Sequence, residues 1–371
     1  HYQDLEGKIV NGIPISASNY PWIVSLRYFA EIESNGTNIT VGIPHFCGAS
    51  LIEIDPPTVM TAAHCVDSFG LQNDGRITES ANSSSPTITI ALDLNRTIEQ
   101  RDVTITGLVP IIDPSGPISY ETLYVSDANM LYIHPKWNTS SLLDGYDIAL
   151  FIIDDNQTVS SLTEDELPEL QKQLKPFRME LCCDDKEELT AIGYGNNATD
   201  GSLTKTLEMT TLNYIEPSAC IEKYFKVIFE SVNLTLDDST LEGILEDANP
   251  TENGFPILCA GGYDTNICQG DSGGPLFAMN GDYAEIKGVT SFTVGGCNNG
   301  SFSGFTPVGD YYDWIMKTID YAVDGDTWNP TNDPTAEPTA SPTEDSTDDS
   351  YHHFNYVMVV LPSVLYSLFS N

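Results

Sequence analysis

Short apolar runs, broken by Gly, Pro, Asn and Asp, make up most of residues 9–310. Many of these runs are rich in β-branched and aromatic residues, as in YPWIVSLRYF, SPTITIAL and EIKGVTSFTV. Runs of this length and composition are typical of strands, and their dense spacing favours an antiparallel barrel or sandwich. The pattern therefore predicts an all-β fold.

Two stretches depart from the strand pattern and predict helices. One is a charged stretch near residues 163–174, and the other is VGDYYDWIMKTIDYAV at residues 308–323. Apolar residues at i, i+3, i+4 and i+8 lie on one face of an α-helix. In the second stretch this face is formed by Tyr311, Trp314, Ile315 and Ile319. We expect it to be a C-terminal helix that docks onto the β-structure.

The composition changes after this helix and sets the end of the chain apart. Residues 326–350 are rich in Pro, Thr, Ser and acidic residues, which favours a solvated, disordered stalk. Residues 351–371 end in an apolar tail that contains Pro362 and is too short to span a bilayer comfortably. Such an arrangement resembles a GPI-attachment signal, with the attachment residue within 345–350. The alternative is an ordinary terminus, disordered or packed.

Charge excludes one class of partner. The chain has 54 acidic and 15 basic residues and a formal net charge of −39. Such a surface repels phosphate backbones, so we expect no binding to nucleic acid.

The cysteines and the glycosylation sequons indicate an oxidising compartment. Eight cysteines occur at wide spacings, with no C-x-x-C zinc pattern. The chain begins at His1 without an apolar signal segment, and our interpretation is that a signal peptide has been removed. We predict a secreted or extracellular glycoprotein. Its N-x-S/T sequons are at Asn35, Asn38, Asn82, Asn95, Asn138, Asn156, Asn197, Asn233 and Asn299.

One serine stands among glycines in ICQGDSGGPLF, residues 267–277. Glycine permits tight turns, so Ser272 is either a turn residue or a nucleophile, and this motif alone leaves both open. The segment CGASLI…TAAHC places His64 between small residues and Cys65, which is far more specific than an isolated histidine.

The chain resembles the chymotrypsin-like, trypsin-fold serine peptidases. The matching motifs occur in the family's order and cover roughly residues 9–320. The resemblance implies two packed antiparallel Greek-key β-barrels with a C-terminal helix, and an active site in the cleft between the barrels. The motifs are KIVNG (8–12), HFCGASL (45–51), TAAHC (61–65), GYDIALF (145–151), ILCAGG (257–262), CQGDSGGPL (268–276) and TSFTVGGC (290–297).

By this resemblance His64 is the general base, Asp147 the acid that orients it and Ser272 the nucleophile. A serine hydroxyl needs a base to attack a carbonyl, and an imidazole titrates near neutrality. These roles are those of the general template for the mechanism. The N–H groups of Gly270 and Ser272 match the oxyanion hole. The order His, Asp, Ser excludes an α/β-hydrolase, whose order is Ser, acid, His.

The same resemblance implies activation by cleavage. The basic Lys8 precedes Ile9, and the family's freed isoleucine amine pairs with the aspartate before the nucleophile, here Asp271. We predict that residues 1–8 are an activation peptide removed by a trypsin-like protease, and that residues 9–325 form the peptidase domain. The alternative is that Lys8 is an ordinary surface lysine.

Three disulfides are implied by the resemblance. They are Cys47–Cys65, Cys220–Cys259 and Cys268–Cys297. A further bridge common in the family is missing, because its positions are taken by Leu189 and Ala278. Cys182 and Cys183 are left, and the sequence leaves open whether they pair with each other or elsewhere.

The residues that match the specificity pocket depart from the trypsin pattern. Asn266 stands where trypsins carry an acidic residue, and Ile267 beside it adds apolar bulk. Ser291 matches the residue that hydrogen-bonds the substrate backbone. Thr293 and Ser303 place side chains on both walls where glycine is common. We therefore predict cleavage after small or medium uncharged residues, since a buried substrate cation would lack a counter-charge.

The sequence thus predicts a secreted or surface-tethered serine endopeptidase. The expected partners are a peptide or protein substrate and an activating protease, and a lipid anchor is the expected membrane tether. We expect a monomer without cofactor or metal. The alternative is a weak or inactive homologue that acts as a binding or adhesion protein.

Overall fold

The computed structural model describes the parts of the chain that build the two sheets and the site. Several predictions lie outside these residues: Lys8 with the activation peptide, the helix near 163–174, Cys182, Cys183, the stalk and the tail. Of the sequons, Asn38 and Asn138 lie inside, and Asn138 is exposed. The described residues are 9, 11–15, 19–20, 22–34, 37–54, 56–67, 87–92, 109–110, 123–124, 130–139, 142–152, 188–195, 207–231, 235, 237–248, 256–262, 264–281, 283–297 and 301–324.

Strands of the first half of the chain form one antiparallel sheet of eight strands. The first strand of the chain, β1 (Ile13–Pro14), belongs to the other sheet. The strands of the first sheet are β2 (Ile23–Ser34), β3 (Thr37–Ile54), β4 (Pro57–Thr61), β5 (Thr87–Leu92), β6 (Val109–Pro110), β7 (Leu123–Tyr124), β8 (Met130–Ile133) and β9 (Ala149–Ile152). Their order is β7-β5-β2-β3-β4-β9-β8, with β6 paired to β3.

Strands of the second half form a closed barrel. They are β10 (Glu188–Gly193), β11 (Glu208–Ile215), β12 (Leu258–Gly261), β13 (Pro275–Asn280), β14 (Tyr283–Val294) and β15 (Phe302–Pro307). Their order is β11-β10-β13-β14-β15-β12, and β12 pairs with β11 again, which closes the ring. The short β1 pairs with the start of β11, on the edge opposite β10. All strand pairings in both sheets are antiparallel, as the sequence predicts.

Two helices that the sequence did not predict lie between β11 and β12. They are α1 (Pro217–Ser231) and α2 (Asp238–Ala248). Proline suits the first helical position because its missing N–H needs no partner there. The helix α2 begins at a capping residue, since the Asp237 carboxylate accepts the Thr240 N–H at 2.8 Å. The buried face of α1 is formed by Cys220, Ile221, Tyr224, Phe225 and Ile228.

The predicted C-terminal helix is confirmed. A 3₁₀ turn at Val308–Tyr311 leads into α3 (Tyr312–Asp324). The apolar face chosen from the sequence is the buried one, as Tyr311, Trp314, Ile315 and Ile319 are all at most 7% exposed. These side chains pack into the same hydrophobic cluster as Tyr132 and Phe151 of the first sheet.

The two halves of the molecule share a core. The largest cluster contains residues of the first sheet and α3 together with Phe277 and Val289 of the barrel. A separate cluster fills the barrel and includes Leu189 and Ala278, the two positions where a further bridge is common in relatives. Apolar packing thus takes the place of that bridge.

Disulfides join the three pairs that the resemblance implies: Cys47–Cys65, Cys220–Cys259 and Cys268–Cys297. The first bridge fixes β3 to the 3₁₀ turn Ala63–Cys65, which carries His64. The second fixes α1 to β12. The third connects the segment before Ser272 to the end of β14.

Candidate active site

His64 and Asp147 form a hydrogen-bonded pair. The Nδ1 of His64 lies 2.7 Å from Asp147 Oδ2, and the His64 backbone N–H donates to Asp147 Oδ1 at 2.9 Å. Asp147 is fully buried, while 28% of the His64 side chain is exposed to the cleft. His64 therefore hydrogen-bonds to both carboxylate oxygens of Asp147. The contact uses Nδ1 of the imidazole and leaves Nε2 outside the pair.

The barrel supplies the rest of the Asp147 environment. The hydroxyl of Ser291 on β14 donates to Asp147 Oδ2, and Thr306 Oγ1 donates to the Asp147 backbone oxygen at 3.0 Å. Ser291, predicted as a residue that contacts the substrate backbone, thus also holds the acid.

Ionisation of this pair follows from burial and charge together. Burial favours neutral forms, yet the mutual attraction and hydrogen bonding of the two groups outweigh it. The pKa of Asp147 is consequently lowered, and the hydroxyl of Ser291 contributes to this. The pKa of His64 is raised, against the effect of burial, by the charge and hydrogen bond of Asp147 and more weakly by Asp67.

An unusual backbone leads into Asp147. Tyr146 has a φ of +62°, a region that side chains other than glycine rarely adopt. Its N–H donates to the Tyr311 hydroxyl oxygen at 2.8 Å, and its ring stacks on the His134 ring with centroids 4.9 Å apart. His134 is thus a buried structural residue, and this packing holds the turn that positions the acid.

Ser272 lies on the barrel side of the cleft, in the loop between β12 and β13. Its backbone oxygen accepts the Gly48 N–H at 2.7 Å, and Gly48 follows the Cys47 disulfide that braces His64. Within the described parts of the chain, the Ser272 hydroxyl forms no hydrogen bond, so no hydrogen bond links it to His64.

The two N–H groups predicted for the oxyanion hole differ from the other N–H groups of this loop. Among the described residues, the backbone N–H groups of Gly270 and Ser272 donate to no protein acceptor, unlike those of Asp271, Gly273 and Gly274. Gly270 has a φ of +93°, which favours glycine at this position. Free donors in a fixed loop are what a developing negative oxygen requires.

Two residues that brace this loop were not predicted from the sequence. The His45 Nε2 lies 2.8 Å from the Gly270 backbone oxygen, and its Nδ1 lies 2.8 Å from Ser25 Oγ. Both side chains are buried. A polar Ser25 inside the apolar run PWIVSL is the signal that could have indicated this contact.

Asp271 and Ile9 are both buried. The Asp271 carboxylate accepts the N–H groups of Gly195 and Cys268, each at 2.8 Å. The Ile9 N–H donates instead to Glu208 Oε2 at 3.0 Å. The pairing of Ile9 with Asp271 concerns the cleaved chain and stays a prediction.

The predicted pocket residues fall into two groups. Asn266 is fully buried, its Nδ2 donates to Ser301 Oγ at 2.8 Å, and its Oδ1 accepts from Ser303 Oγ at 2.9 Å. The hydroxyls of Ser303 and Thr293 lie 3.3 Å apart on paired strands. Ile267, by contrast, packs into the hydrophobic cluster inside the barrel.

One geometric cluster resembles a metal site. Cys47, His64 and Cys65 bring potential ligand atoms within 4.8 Å of one another. The two sulfurs are joined in a disulfide, and metal binding needs thiolates. The cluster is therefore explained by the bridge beside the imidazole.

Fold and site together define a hydrolase of the serine peptidase class, and comparison with known proteins specifies its family. The chain belongs to the trypsin family, since the family model described as Trypsin matches residues 9–107 and 119–315. The protein is accordingly a serine endopeptidase, and a peptide is its substrate class.

Its similar relatives include chymotrypsin-like elastases. Chymotrypsin-like elastase family member 1 of Macaca fascicularis is 28% identical over 322 residues, which cover 86% of this chain and 92% of the relative. The Homo sapiens member 1 is 29% identical over 324 residues, covering 85% and 95%. Family member 3B of Homo sapiens is 28% identical over 316 residues, covering 84% and 89%.

None of α1, α2 and α3, nor any other helix in the described residues, combines the length and apolar character that crossing a membrane requires.

Proposed function

We propose that this endopeptidase cleaves peptide bonds through an acyl-enzyme, with Ser272 as nucleophile, His64 as general base and Asp147 as its orienting acid. The observation that carries the proposal is the His64–Asp147 pair, which stands across the cleft from a loop with two unbonded N–H groups. Disulfide Cys47–Cys65 and the Gly48–Ser272 hydrogen bond join the two sides.

In the proposed reaction, His64 Nε2 takes the hydroxyl proton as Ser272 Oγ bonds to the carbonyl carbon. The carbonyl oxygen becomes negative and is received by the N–H groups of Gly270 and Ser272. The imidazolium returns its proton to the leaving amine as the C–N bond breaks. Water then repeats the sequence on the acyl-enzyme, which releases the acid product and restores the hydroxyl.

The pocket supports a preference for small or medium uncharged side chains before the scissile bond. Asn266, the residue at the bottom of the pocket, carries no charge. Its side-chain N–H and oxygen are both hydrogen-bonded to serines. The side chains of Thr293 and Ser303 occupy the walls and reduce the depth available to a substrate. A lysine or arginine entering this site would bury its charge without a carboxylate partner.

Activation by hydrolysis of the Lys8–Ile9 bond is part of the proposal. The reaction adds one water, leaves a carboxylate on Lys8 and creates an ammonium on Ile9. Ile9 is 0% exposed, which supports a role for its nitrogen inside the protein. The activating enzyme is expected to be trypsin-like, because it must recognise a lysine.

Placement outside the cell rests on sequence features and on the disulfides. The sequons, the stalk at 326–350 and the tail at 351–371 favour a secreted glycoprotein that a lipid anchor tethers to a membrane. The disulfides agree with an oxidising compartment.

Labelling with a fluorophosphonate probe, before and after cleavage at Lys8, tests the central proposal. We expect labelling to appear only after cleavage and to vanish in Ser272→Ala. The matched control is Ser239→Ala, at an exposed serine of α2, which should label like the wild type. A protein with a confirmed Ile9 terminus that stays unlabelled would contradict the assigned nucleophile.

A further inference from the structure

The nitrogen of Ile9 is held by a glutamate. Its N–H donates to Glu208 Oε2 at 3.0 Å, and both residues are buried, at 0% and 1% exposure. The contact already exists in a chain in which this nitrogen is an amide. Cleavage before Ile9 would change that nitrogen into an ammonium with a positive charge and three N–H donors.

A tight turn brings the nitrogen to this position. Asn11 has a φ of +53°, and the Gly12 N–H donates to the Ile9 oxygen at 2.6 Å. A Cβ on Gly12 would lie 2.9 Å from Glu208 Oε2 and 2.8 Å from Ile9 Cβ. The turn therefore depends on glycine for the approach of the carboxylate.

Strand pairing places a second carboxylate beside Glu208. Glu208 on β11 is the register partner of Gly193 on β10, and such partners project to the same side of a sheet. A Cβ on Gly193 would lie 2.1 Å from Asp271 Oδ1. The Asp271 carboxylate thus occupies the space that a side chain on Gly193 would fill, next to Glu208.

Electrostatics link the two carboxylates. Burial raises the pKa of Asp271 to about 7 against the opposing hydrogen bonds from Cys268 and Gly195, and the charge of Glu208 adds a smaller upward contribution. Two like charges in one buried space disfavour each other, and a cation between them would relieve both. The turn also meets Asp264, which is exposed and accepts the Asn11 side-chain N–H through its backbone oxygen.

We infer that Glu208 is a positioning residue for activation, which binds the Ile9 ammonium together with Asp271 once the chain is cleaved. The ammonium offers three donors, enough for both carboxylates. Because Ile9 is already buried against Glu208, cleavage changes the charge of its nitrogen more than its place. The inference rests on the proposed cleavage after Lys8.

The test is the alkaline limb of the pH profile of kcat/KM, measured on the enzyme that is cleaved after Lys8 and otherwise complete. This limb reports loss of the proton from the Ile9 ammonium, whose pKa a nearby carboxylate raises. Glu208→Gln removes the charge at nearly constant shape, and we expect the limb to move down by about one pH unit or more. The terminus is confirmed by N-terminal sequencing before each assay.

A matched control separates this role from a loss of stability. Glu285→Gln removes another buried glutamate of the same barrel, which lies 3.3 Å from Lys287 Nζ. It should lower stability and leave the alkaline limb in place. An unmoved limb in Glu208→Gln, with Asp271→Asn inactive, would overturn the inference.

A second variant serves if Glu208→Gln does not fold. Gly12→Ala keeps every charge but crowds the Glu208 carboxylate, so the limb should again move down. Its control is Gly243→Ala, where a Cβ meets no atom within 4 Å. A limb that Gly12→Ala leaves in place would contradict the role of Glu208.

Failure of the activation proposal is distinguishable from failure of this inference. If cleavage at Lys8 brings no activity to the wild type, both are overturned. If the wild type gains activity and Glu208→Gln keeps its alkaline limb, only the role of Glu208 falls.

Discussion

Asp147 and Asp271 are two buried carboxylates, one on each side of the site, whose pKa values are shifted in opposite directions. Both are at most 1% exposed, and each accepts a hydrogen bond on both carboxylate oxygens. The pKa of Asp147 is lowered, whereas that of Asp271 is raised to about 7. Burial acts in the same direction on both, so the difference comes from their neighbours.

Asp147 has an imidazole beside it, and Asp271 has a carboxylate. A hydrogen-bonded backbone N–H stabilises a buried negative charge, yet at Asp271 two of them do not overcome burial together with Glu208. Asp147 therefore already has a neighbour in this chain that stabilises its negative charge. At Asp271 the neighbouring charge is negative, and cleavage before Ile9 would add a positive one.

The largest effect is expected from removing the charge at Asp147. In Asp147→Asn the carboxamide no longer holds His64 in the required tautomer, and kcat should fall about 10⁴-fold, the size known for the same change in the reference enzyme of this mechanism. The measurement is kcat on a peptide substrate, with fluorophosphonate labelling of Ser272 beside it. A loss of less than tenfold would count against the assigned acid.

A smaller effect, on substrate preference, is expected from changing the pocket walls on the barrel side of the cleft. Thr293→Gly together with Ser303→Gly removes both side chains from the pocket walls. The ratio of kcat/KM for phenylalanine over alanine before the scissile bond should rise on the order of tenfold or more. The acid limb of the pH profile should not move, because the His64–Asp147 pair is untouched. An unchanged ratio would show that other residues limit the pocket.

The pH dependence of stability sharpens the contrast between the two aspartates. The raised pKa of Asp271 means that the folded single chain binds this proton more tightly than the unfolded chain. The free energy of unfolding should therefore decrease as the pH rises from about 4 to 7, by up to about 1.4 kcal/mol per pH unit from this group. In Asp271→Asn the slope should be shallower, which urea unfolding across this range would reveal. Equal slopes in the two proteins would argue against a raised pKa.

The smallest effect concerns the acid limb. His64 must be neutral to accept a proton. Because its pKa is raised from the ordinary 6.5, kcat/KM should decrease at low pH with a midpoint above pH 6.5. Asp67→Asn should lower this midpoint by less than about one pH unit, because Asp67 raises the pKa of His64 less than Asp147 does. An upward movement of the midpoint would have the wrong sign.

Sequence motifs predicted the features that depend on short segments. The resemblance to the trypsin-fold peptidases implied the His64–Asp147 pair and the three disulfides, and helical periodicity predicted the buried face of α3; the structure reproduces all of them. Each motif carries its own chemistry, such as a histidine beside a bridged cysteine.

Features that no family motif carries were missed. Glu208 reads as one acidic residue among 54, and only the β10–β11 register and the turn at Asn11 bring it to Ile9. The helix α1 was missed because β-branched and aromatic residues in KYFKVIF suggest a strand. Its buried residues at 220, 221, 224, 225 and 228 have helical spacing, which a count of periodicity would have detected.

The contact of Gly48 with the nucleophile loop has a consequence for how the protein can diverge. Gly48 donates its N–H to the Ser272 oxygen, and a Cβ on Gly48 would lie 2.9 Å from the Gly274 Cα. The two sides of the cleft thus meet through bare main chain. Surface loops can lengthen or exchange sequence without disturbing the alignment of base and nucleophile, so new substrate ranges can be grafted onto a constant reaction centre.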